Sequence, residues 1–308
     1  MSLLDFLITY FSNNLVLGAI VFVFAISGVL LAAFSFLRNK PRLRSGMLFA
    51  LFSTVVFGWG FIAASLLFCN QLLGLYASIG DRAVQVVLGI ALLVSLVATL
   101  PFSVLVTLTV PRAIIRHLSQ DSASAGELSS FTLQRVVETM GLRSIALLRS
   151  PSESPFAYSV GGRAKSALVV SEGLEKLLER EEMEAVITHE LAHIRNGDTR
   201  TKILISAYRR VLFFDPLLRL VERLYAQEKE LLADEDAVRF TGKPASLASA
   251  LLKISAHSSR STGHLASSIT EGDGLTKPSL EERVNRLLTK QTEFEPTPPR
   301  GSGEMEAR

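Results

Sequence analysis

The sequence predicts a chain of two unlike parts, an α-helical membrane anchor followed by an α+β domain with a small antiparallel sheet. Of the 308 residues, 48% are hydrophobic and only 20% are charged, which is too apolar for one ordinary water-soluble domain. The first 110 residues hold seven charged side chains, whereas residues 111–308 hold the other 54. This change in composition places a domain boundary near residue 111.

The charge balance and the cysteine content exclude several classes of protein. The net charge of +3 comes from the first part, which has five positive and two negative groups, because the second part has 27 of each. A nucleic-acid-binding domain needs a basic surface, so the sequence predicts no nucleic-acid partner. Cys69 is the only cysteine, which excludes a disulfide framework and a cysteine-based zinc finger.

Three uncharged apolar stretches lie within residues 1–111, and each exceeds the roughly 20 residues that a helix needs to cross a bilayer. They predict transmembrane helices at about 15–37, 47–72 and 84–110. Positive residues are concentrated in the first loop and after the third span: Arg38, Lys40, Arg42, Arg44, Arg112 and Arg116. Since positive loops remain in the cytoplasm, the second part is predicted to be cytoplasmic, on a prokaryotic plasma membrane.

Residues 112–290 are predicted to form the α+β domain, and residues 291–308 a disordered tail. β-Branched and apolar runs predict strands at 144–148, 156–160 and 167–170. Helical periodicity and cap residues predict six helices, at 128–140, 171–178, 181–195, 215–240, 245–256 and 279–288. A mobile loop is predicted at 257–274, which is rich in Ser, Thr and Gly.

Residues 203–220 do not fit either part clearly. The segment is apolar overall but contains Arg209, Arg210 and Asp215, and Pro216 interrupts it. A fourth transmembrane span and a helix lying in the membrane interface are both open, and the charges favour the interfacial helix.

The chemistry is concentrated in one motif, His189-Glu190-Leu191-Ala192-His193, in the middle of a predicted amphipathic helix. Two histidines four positions apart lie on one face of a helix, so both imidazoles can reach one zinc ion. The helical setting is the context that this His-Glu-x-x-His pattern requires. The alternative is a pair of solvent-facing histidines on a surface helix.

A catalytic zinc site needs a third protein ligand, and an acidic helix downstream offers three candidates. Glu230 and Asp234 are four apart on one face, so we assign Glu230 as the third ligand. Asp234 is assigned to accept the free ring N–H of a ligating histidine and so fix its tautomer. Glu228 lies on a different face and is the second choice. The alternative is three solvated acids.

Glu190 lies beside the two histidines without sharing their direction, which suits a general base rather than a ligand. A carboxylate there can take a proton from a zinc-bound water as that water attacks a carbonyl group. The predicted cofactor is one zinc ion per chain. His117, His257 and His264 lie outside any metal-ligand spacing.

These residues resemble a known group, the HtpX and CAAX-prenyl endopeptidase family of integral-membrane zinc peptidases, over residues 127–288. Three stretches carry the resemblance: Ser154 to Gly162, Ala167 to Leu174, and Glu184 to Asp198. The run Glu230-Leu-Leu-Ala-Asp234 is similar to the family's third-ligand motif. The resemblance implies a zincin-like (gluzincin) peptidase domain. The stretch from Arg209 to Asp236 also resembles the BlaR-type antibiotic-sensing membrane peptidases.

In the family, the Phe156 strand is an edge strand beside the active site, to which a substrate segment can add as a further strand. This resemblance implies substrate contacts at Ala157 and Tyr158; a strand that only closes the sheet is the alternative. The sequence departs from the family at Pro155 and at Lys277, where the family has Asn and His, whereas Arg283 matches. Lys277 and Arg283 are candidates for placing positive charge near the developing oxyanion.

The sequence leaves three functional hypotheses. The first is a membrane-anchored zinc endopeptidase that cuts misfolded or membrane-associated polypeptides, with the polypeptide and the lipid bilayer as its partners. The second is a sensor-type peptidase that cleaves one regulatory partner. The third is a non-catalytic zinc-binding membrane scaffold, against which the presence of Glu190 argues, since a structural zinc site gains little from a general base.

Overall fold

The computed structural model of the protein describes residues 14–37, 41–79, 81–120, 127–142, 145–161, 166–260 and 279–294. The chain divides into two compact units. The first unit contains residues 1–113 and 200–229, and the second contains residues 114–199 and 230–308. Residues 200–229, which the sequence analysis assigned to the α+β domain, thus group with the predicted membrane anchor.

Long apolar helices make up most of the first unit. Its N-terminal region contains α1 (Asn14–Phe36) and α2 (Pro41–Ile79), followed by α3 (Asp81–Gln120), which continues beyond the unit. In the described residues, Pro41–Ser65 and Gly89–His117 are long and apolar enough to cross a membrane, and Ile20–Phe36 is a shorter apolar helix. These helices support a location in a membrane. The presence of three spans and the cytoplasmic location of the second part stay predictions.

The segment at 203–220 is two helices rather than one. Helix α7 (Asp198–Val211) is followed by a turn. Helix α8 (Pro216–Thr241) then begins at Pro216, the proline that interrupts the apolar segment. Asp215 caps α8, because its Oδ1 accepts hydrogen bonds from the backbone N–H groups of Leu217 and Leu218 at 2.7 and 3.2 Å. A single continuous fourth span is therefore wrong for this segment.

The second unit contains a three-stranded sheet of β1 (Ala146–Ser150), β2 (Ala157–Gly161) and β3 (Ser166–Ser171). The strand order is β1-β3-β2; β3 pairs antiparallel with β2 but parallel with β1. The prediction of an antiparallel sheet is therefore corrected to a mixed sheet. The physical reason is that β3 inserts between the first two strands, and its nearly continuous burial is typical of a central strand.

Helices of the second unit surround this sheet. They are α4 (Glu127–Thr139), α5 (Glu172–Leu177), α6 (Arg180–Asn196), α9 (Pro244–Arg260) and α10 (Leu280–Phe294), together with the part of α8 from Glu230 onward. Helix α9 extends to Arg260, beyond the predicted loop start at 257, and α10 extends to Phe294, into the predicted tail. The rest of that loop and tail, at 261–278 and 295–308, lies outside the described residues.

The main core of the second unit joins α6 to β3, α4 and α9. Met183, Ile187 and Leu191 are fully buried on one face of α6, and Leu168 and Leu174 are buried opposite them. Gly197, with φ of 69°, ends α6 in the left-handed conformation that glycine adopts without strain, as the Asn196-Gly197 pair predicts. This packing fixes the axial rotation of α6 and thereby the direction of its remaining side chains.

Candidate metal centre

His189 and His193 lie one turn apart on α6, and both imidazoles are buried. Their ring centroids are 5.0 Å apart and their planes are nearly perpendicular, at 88°. Helix α8 contributes the buried carboxylate of Glu230. One atom from each of these three side chains lies within 4.8 Å of the other two, so the three residues form a group that could hold a metal ion.

The distances within the group match the size of a zinc site. Nε2 of His189 lies 3.5 Å from Oε2 of Glu230, and Nε2 of His193 lies 3.6 Å from Oε1. Ligand atoms about 2.0–2.2 Å from a tetrahedral zinc are roughly 3.3–3.6 Å from one another. The donor set and these two spacings are therefore compatible with a zinc ion.

Each histidine also has its own carboxylate on the other ring nitrogen. Nδ1 of His189 lies 3.0 Å from Oδ1 of Asp234, the residue that the sequence assigned to this role. Nδ1 of His193 lies 2.9 Å from Oδ2 of Asp198, which is fully buried at the start of α7. The sequence analysis missed Asp198, although its position directly after the left-handed Gly197 is a local signal that α6 and α7 meet there.

Arg283 on α10 completes the group. Its Nε and Nη2 donate to the two carboxylate oxygens of Asp234 at 2.7 and 2.6 Å, and its Nη1 lies 3.5 Å from Oε2 of Glu230. The guanidinium group is buried and bound on two sides by these carboxylates. Arg283 therefore reaches the predicted site, where its side chain binds two acidic groups, and its role near an oxyanion stays a prediction.

The electrostatics agree with a group built to hold a cation. Burial lowers the pKa of His189, but the Asp234 and Glu230 carboxylates more than reverse this, and the pKa rises to about 9. Burial raises the pKa of Asp234, yet its contacts with Arg283 and His189 lower it overall, so this carboxyl is ionised at neutral pH. The site thus has more carboxylates, namely Asp234, Glu230, Glu190 and Asp198, than the one arginine can pair with.

The structure also places the other candidate residues. Glu190 is half-buried on α6 and outside the ligand group, and its charge acts on Arg283. Glu228 does not join the group; it is buried in the first unit, where its Oε1 lies 2.9 Å from Nη1 of Arg44. His117 and His257 are exposed, whereas His264 and Lys277 lie outside the described residues.

Strand β2 is an edge strand within the described sheet and packs against α6, the helix that bears both histidines. Gly161 ends the strand next to Ile194, and its backbone N–H donates to Oγ1 of Thr199 at 3.2 Å. The side chains of Ala157 and Tyr158 are half-buried against opposite faces of the sheet.

The two histidines and Glu230 on neighbouring helices, with an edge strand against the first helix, define a metallopeptidase domain. A family model described as BlaR1 peptidase M56 matches residues 75–287, which is more than half of the chain. The chain belongs to this BlaR1 peptidase M56 family.

Curated relatives carry the name Protease HtpX homolog. The protein of Thermococcus kodakarensis is 31% identical over 169 residues, which cover 44% of this chain and 58% of the relative. That of Pyrococcus abyssi is 30% identical and covers 40% of this chain and 55% of the relative, and that of Pelotomaculum thermopropionicum is 28% identical, covering 50% and 73%. The resemblance to HtpX-type proteases is thereby confirmed, and the chain spans little more than half the length of the first two relatives.

One solved structure also aligns with the chain, the crystal structure of S. mikatae Ste24p. It covers 81% of this chain and 66% of the Ste24p chain, with 15% sequence identity and a TM-score of 0.39.

Proposed function

We propose that this protein is a membrane-anchored, zinc-dependent endopeptidase that hydrolyses peptide bonds of misfolded or membrane-associated polypeptides. The observation that carries the proposal is the buried group of His189, His193 and Glu230, whose ligand atoms lie within 4.8 Å of one another. Membership of a peptidase family and the similarity to HtpX homologues support the reaction class.

His189, His193 and Glu230 would hold the zinc through the two Nε2 atoms and the carboxylate. Zinc in such a site activates a water molecule and polarises the carbonyl group of a substrate. Asp234 and Asp198, whose carboxylates lie 3.0 and 2.9 Å from Nδ1 of His189 and His193, would keep the two rings oriented for metal binding through Nε2. No nucleophilic side chain is needed.

Glu190 is the proposed general base. Its carboxylate follows His189 on α6 without joining the three ligands, so it remains able to accept a proton from the attacking water and to pass that proton to the leaving amine. Arg283 is within electrostatic reach of Glu190. The carboxylates of Glu190 and Glu230 thus both lie within electrostatic reach of one cation, Arg283.

The free edge of β2 is the proposed site for a substrate strand. Phe156 and Ser171 are a hydrogen-bonded pair, because the Ser171 N–H donates to the Phe156 carbonyl at 3.0 Å. Hydrogen-bonded pairs alternate along antiparallel strands, so the backbone groups of Tyr158 point into the sheet and those of Ala157 and Ser159 point to the open edge. An extended polypeptide could therefore bind to Ala157 and Ser159 through backbone groups alone.

The proposal is tested with the full chain purified in detergent, by measuring zinc content and cleavage of unfolded casein. Glu190→Gln should keep one zinc per chain and lose about 10²–10⁴-fold in activity, which is the usual contribution of a general base. Glu230→Gln should lose the metal. Glu184→Gln, a half-buried glutamate on the same helix, should keep both properties.

Two results would contradict the proposal. A wild-type protein that binds zinc without cleaving casein would contradict broad endopeptidase activity and favour the sensor-type peptidase or the non-catalytic scaffold. A protein that binds no zinc under metal-replete conditions would refute the metal assignment itself.

A sensor-type peptidase that cleaves one regulatory partner is the second candidate, which the match to a BlaR1 peptidase family model favours. The two functions differ in the breadth of substrates. Casein and other unfolded polypeptides should be cut by an endopeptidase of broad specificity, whereas a sensor-type enzyme should leave them intact and retain bound zinc.

A further inference from the structure

Residues 200–229 fold as a helical hairpin within the first unit. The first arm is the part of α7 from Arg200 onward, the second is α8 up to Lys229, and residues 212–215 form the turn. This hairpin carries charged residues in both arms, yet it groups with the long apolar helices. Its contacts determine how it can lie relative to a membrane.

The hairpin runs along the axis of α2. Glu228 pairs with Arg44 at 2.9 Å, the Tyr208 ring lies 5.6 Å from that of Phe52, and Phe214 lies 4.9 Å from Trp59. From Arg44 to Trp59 a helix rises about 22 Å. All three contacted positions belong to the candidate span Pro41–Ser65. A helix lying in the membrane interface would meet a span at one level only.

The second candidate span contacts the same hairpin. The hydroxyl groups of Tyr208 and Ser103 are 3.0 Å apart, and the Tyr208 ring packs against that of Phe102 at 5.1 Å. The inner face of the hairpin is buried and apolar, and it consists of Leu204, Ile205, Tyr208, Leu218, Val221 and Tyr225. The hairpin is therefore packed lengthwise against two helices that are each long enough to cross a bilayer.

The outer surface of the turn is apolar. Val211, Phe213 and Phe214 are 59, 66 and 52% exposed. Phe214 packs against Trp59 on one side, yet more than half of each of these three side chains stays exposed. The candidate spans also expose apolar side chains, such as Val97 and Leu100 on α3. Large side chains of this kind favour a hydrocarbon environment over water.

Polar groups near the turn have internal partners. Asp215 accepts hydrogen bonds from the Trp59 indole and from two backbone N–H groups of α8. Arg219 donates to the Phe213 carbonyl at 2.7 Å, and Arg209 pairs with Glu222 of the other arm. Such internal satisfaction is what a turn needs where water is scarce.

We propose that residues 200–229 form a re-entrant hairpin, which enters the bilayer beside the first candidate span and returns to the same side. Val211, Phe213 and Phe214 contact lipid acyl chains at its tip. The arms rise about 20 Å, less than the roughly 30 Å of the hydrocarbon core, so the hairpin does not cross. Arg210 and Arg223 are exposed, and the long apolar stems of their side chains would let the guanidinium groups reach polar surroundings.

The depth of the hairpin can be measured in vesicles of phosphatidylcholine and phosphatidylglycerol that contain the full chain. In a Cys69→Ser background, single cysteines replace Phe213 at the tip, Lys202 near the base, and Arg239 in the second unit. A nitroxide label at each site is tested for collision with oxygen, which concentrates in lipid, and with a water-soluble nickel complex. Position 202 lies about 14 Å along the helix axis from position 211, where the first arm ends, so labels near the base and at the tip should differ in depth.

We expect oxygen to dominate at position 213, with a lower oxygen-to-nickel ratio at 202 and the lowest at 239. Equal ratios at 213 and 202 would overturn the proposal in favour of an interfacial helix. Nickel dominance at both would place the hairpin in water and overturn it too. A Val211→Cys label provides a second probe of the tip, and unchanged circular dichroism and gel-filtration profiles identify variants that keep the fold.

Discussion

The two units bury charged and polar groups in different ways. In the second unit the largest set of these groups converges on one place, where Arg283 binds Asp234, Asp234 lies against His189, and Glu230 faces both histidines. In the first unit, polar contacts are separate pairs spread along the hairpin, such as Arg44 with Glu228 and Ser103 with Tyr208. Shared partners couple substitutions across the whole group, whereas substitutions in two separate pairs should be additive with one another.

The largest expected effect is that of Arg283→Leu, since it leaves the buried Asp234 without its bidentate partner. Breaking such a pair costs about 3–5 kcal/mol of stability. Zinc affinity should fall as well, because Asp234 no longer holds His189. Arg283→Lys keeps the charge but not the two-pronged geometry and should lie between wild type and Arg283→Leu. Thermal unfolding and a competitive zinc titration measure both effects.

Arg286 provides the matched control on the same helix. It is exposed and pairs with Glu282 at 3.1 Å. An exposed pair of this kind contributes at most about 0.5 kcal/mol, so Arg286→Leu should leave zinc affinity and stability nearly unchanged. An Arg283→Leu protein with wild-type zinc affinity would show that Arg283 does not support the ligands.

Arg44→Leu should produce the next largest effect, about 3 kcal/mol of stability, because the buried carboxylate of Glu228 loses the Arg44 guanidinium. The double substitution Arg44→Leu with Glu228→Leu should recover much of this loss, since it removes both charges. The exposed neighbour Arg42 serves as the control. Thermal unfolding in detergent gives the comparison, and a double variant that is less stable than Arg44→Leu would argue against an isolated pair.

Asp198→Asn should weaken zinc binding by about 10–100-fold, since it alters the group that fixes the His193 ring. The same substitution at Asp234 should act on His189 in the same way. Because the two histidines hold one ion, the double variant should lose less than the product of the two single effects. Fully multiplicative losses would mean that the two carboxylates act independently. Competitive chelation followed by fluorescence measures each affinity.

The substitution Glu182→Gln tests how the contribution of this carboxylate to the free energy of unfolding depends on pH. Burial raises the pKa of Glu182, but hydrogen bonds from Lys253, Ser249 and the Glu179 backbone lower it below its ordinary value of 4.5. Stabilisation by the ionised group is therefore complete above about pH 5 and is lost as the pH falls through the lowered pKa. Wild type should exceed Glu182→Gln by about 1–3 kcal/mol at pH 7.

The gap between wild type and Glu182→Gln should narrow below about pH 4.5, and unfolding by denaturant across a pH series measures it. The exposed neighbour Glu181 provides a control, because Glu181→Gln should show only a small gap at every pH. A gap at Glu182 that persists unchanged at low pH would indicate that its packing, rather than its charge, stabilises the junction of α6 and α9.

The sequence predicted the helix ends and the grouping of His189, His193 and Glu230 most closely, because most of these signals are local. Capping by Asp215, termination at Gly197 and the four-residue spacing of the histidines each depend on neighbours in the chain. Asp198 was missed because its partner His193 lies across a helix junction, where helical periodicity no longer relates the two side chains.

The strand order and the hairpin could not be read from local patterns. The pairing of β1 with β3 depends on which strands meet in three dimensions, although the unbroken apolar run Ala167 to Val170 does indicate a central strand. The prediction for residues 203–220 was ambiguous because a hydropathy average combines two surfaces of the helix. One surface is buried and contains Tyr208, and the other carries Arg209 and Arg210. Separating the two faces requires the partner helices.

The two-residue alternation at the free edge of β2 has a consequence for inhibitor design. If a bound peptide pairs with the outward backbone of Ala157 and Ser159, only every second amide of that peptide faces the strand. Methylation of peptide nitrogens one at a time should then weaken inhibition at alternate positions and leave the positions between them unaffected. Such a peptide could carry methyl groups at all the tolerated nitrogens and so resist degradation by other proteases without losing affinity for this one.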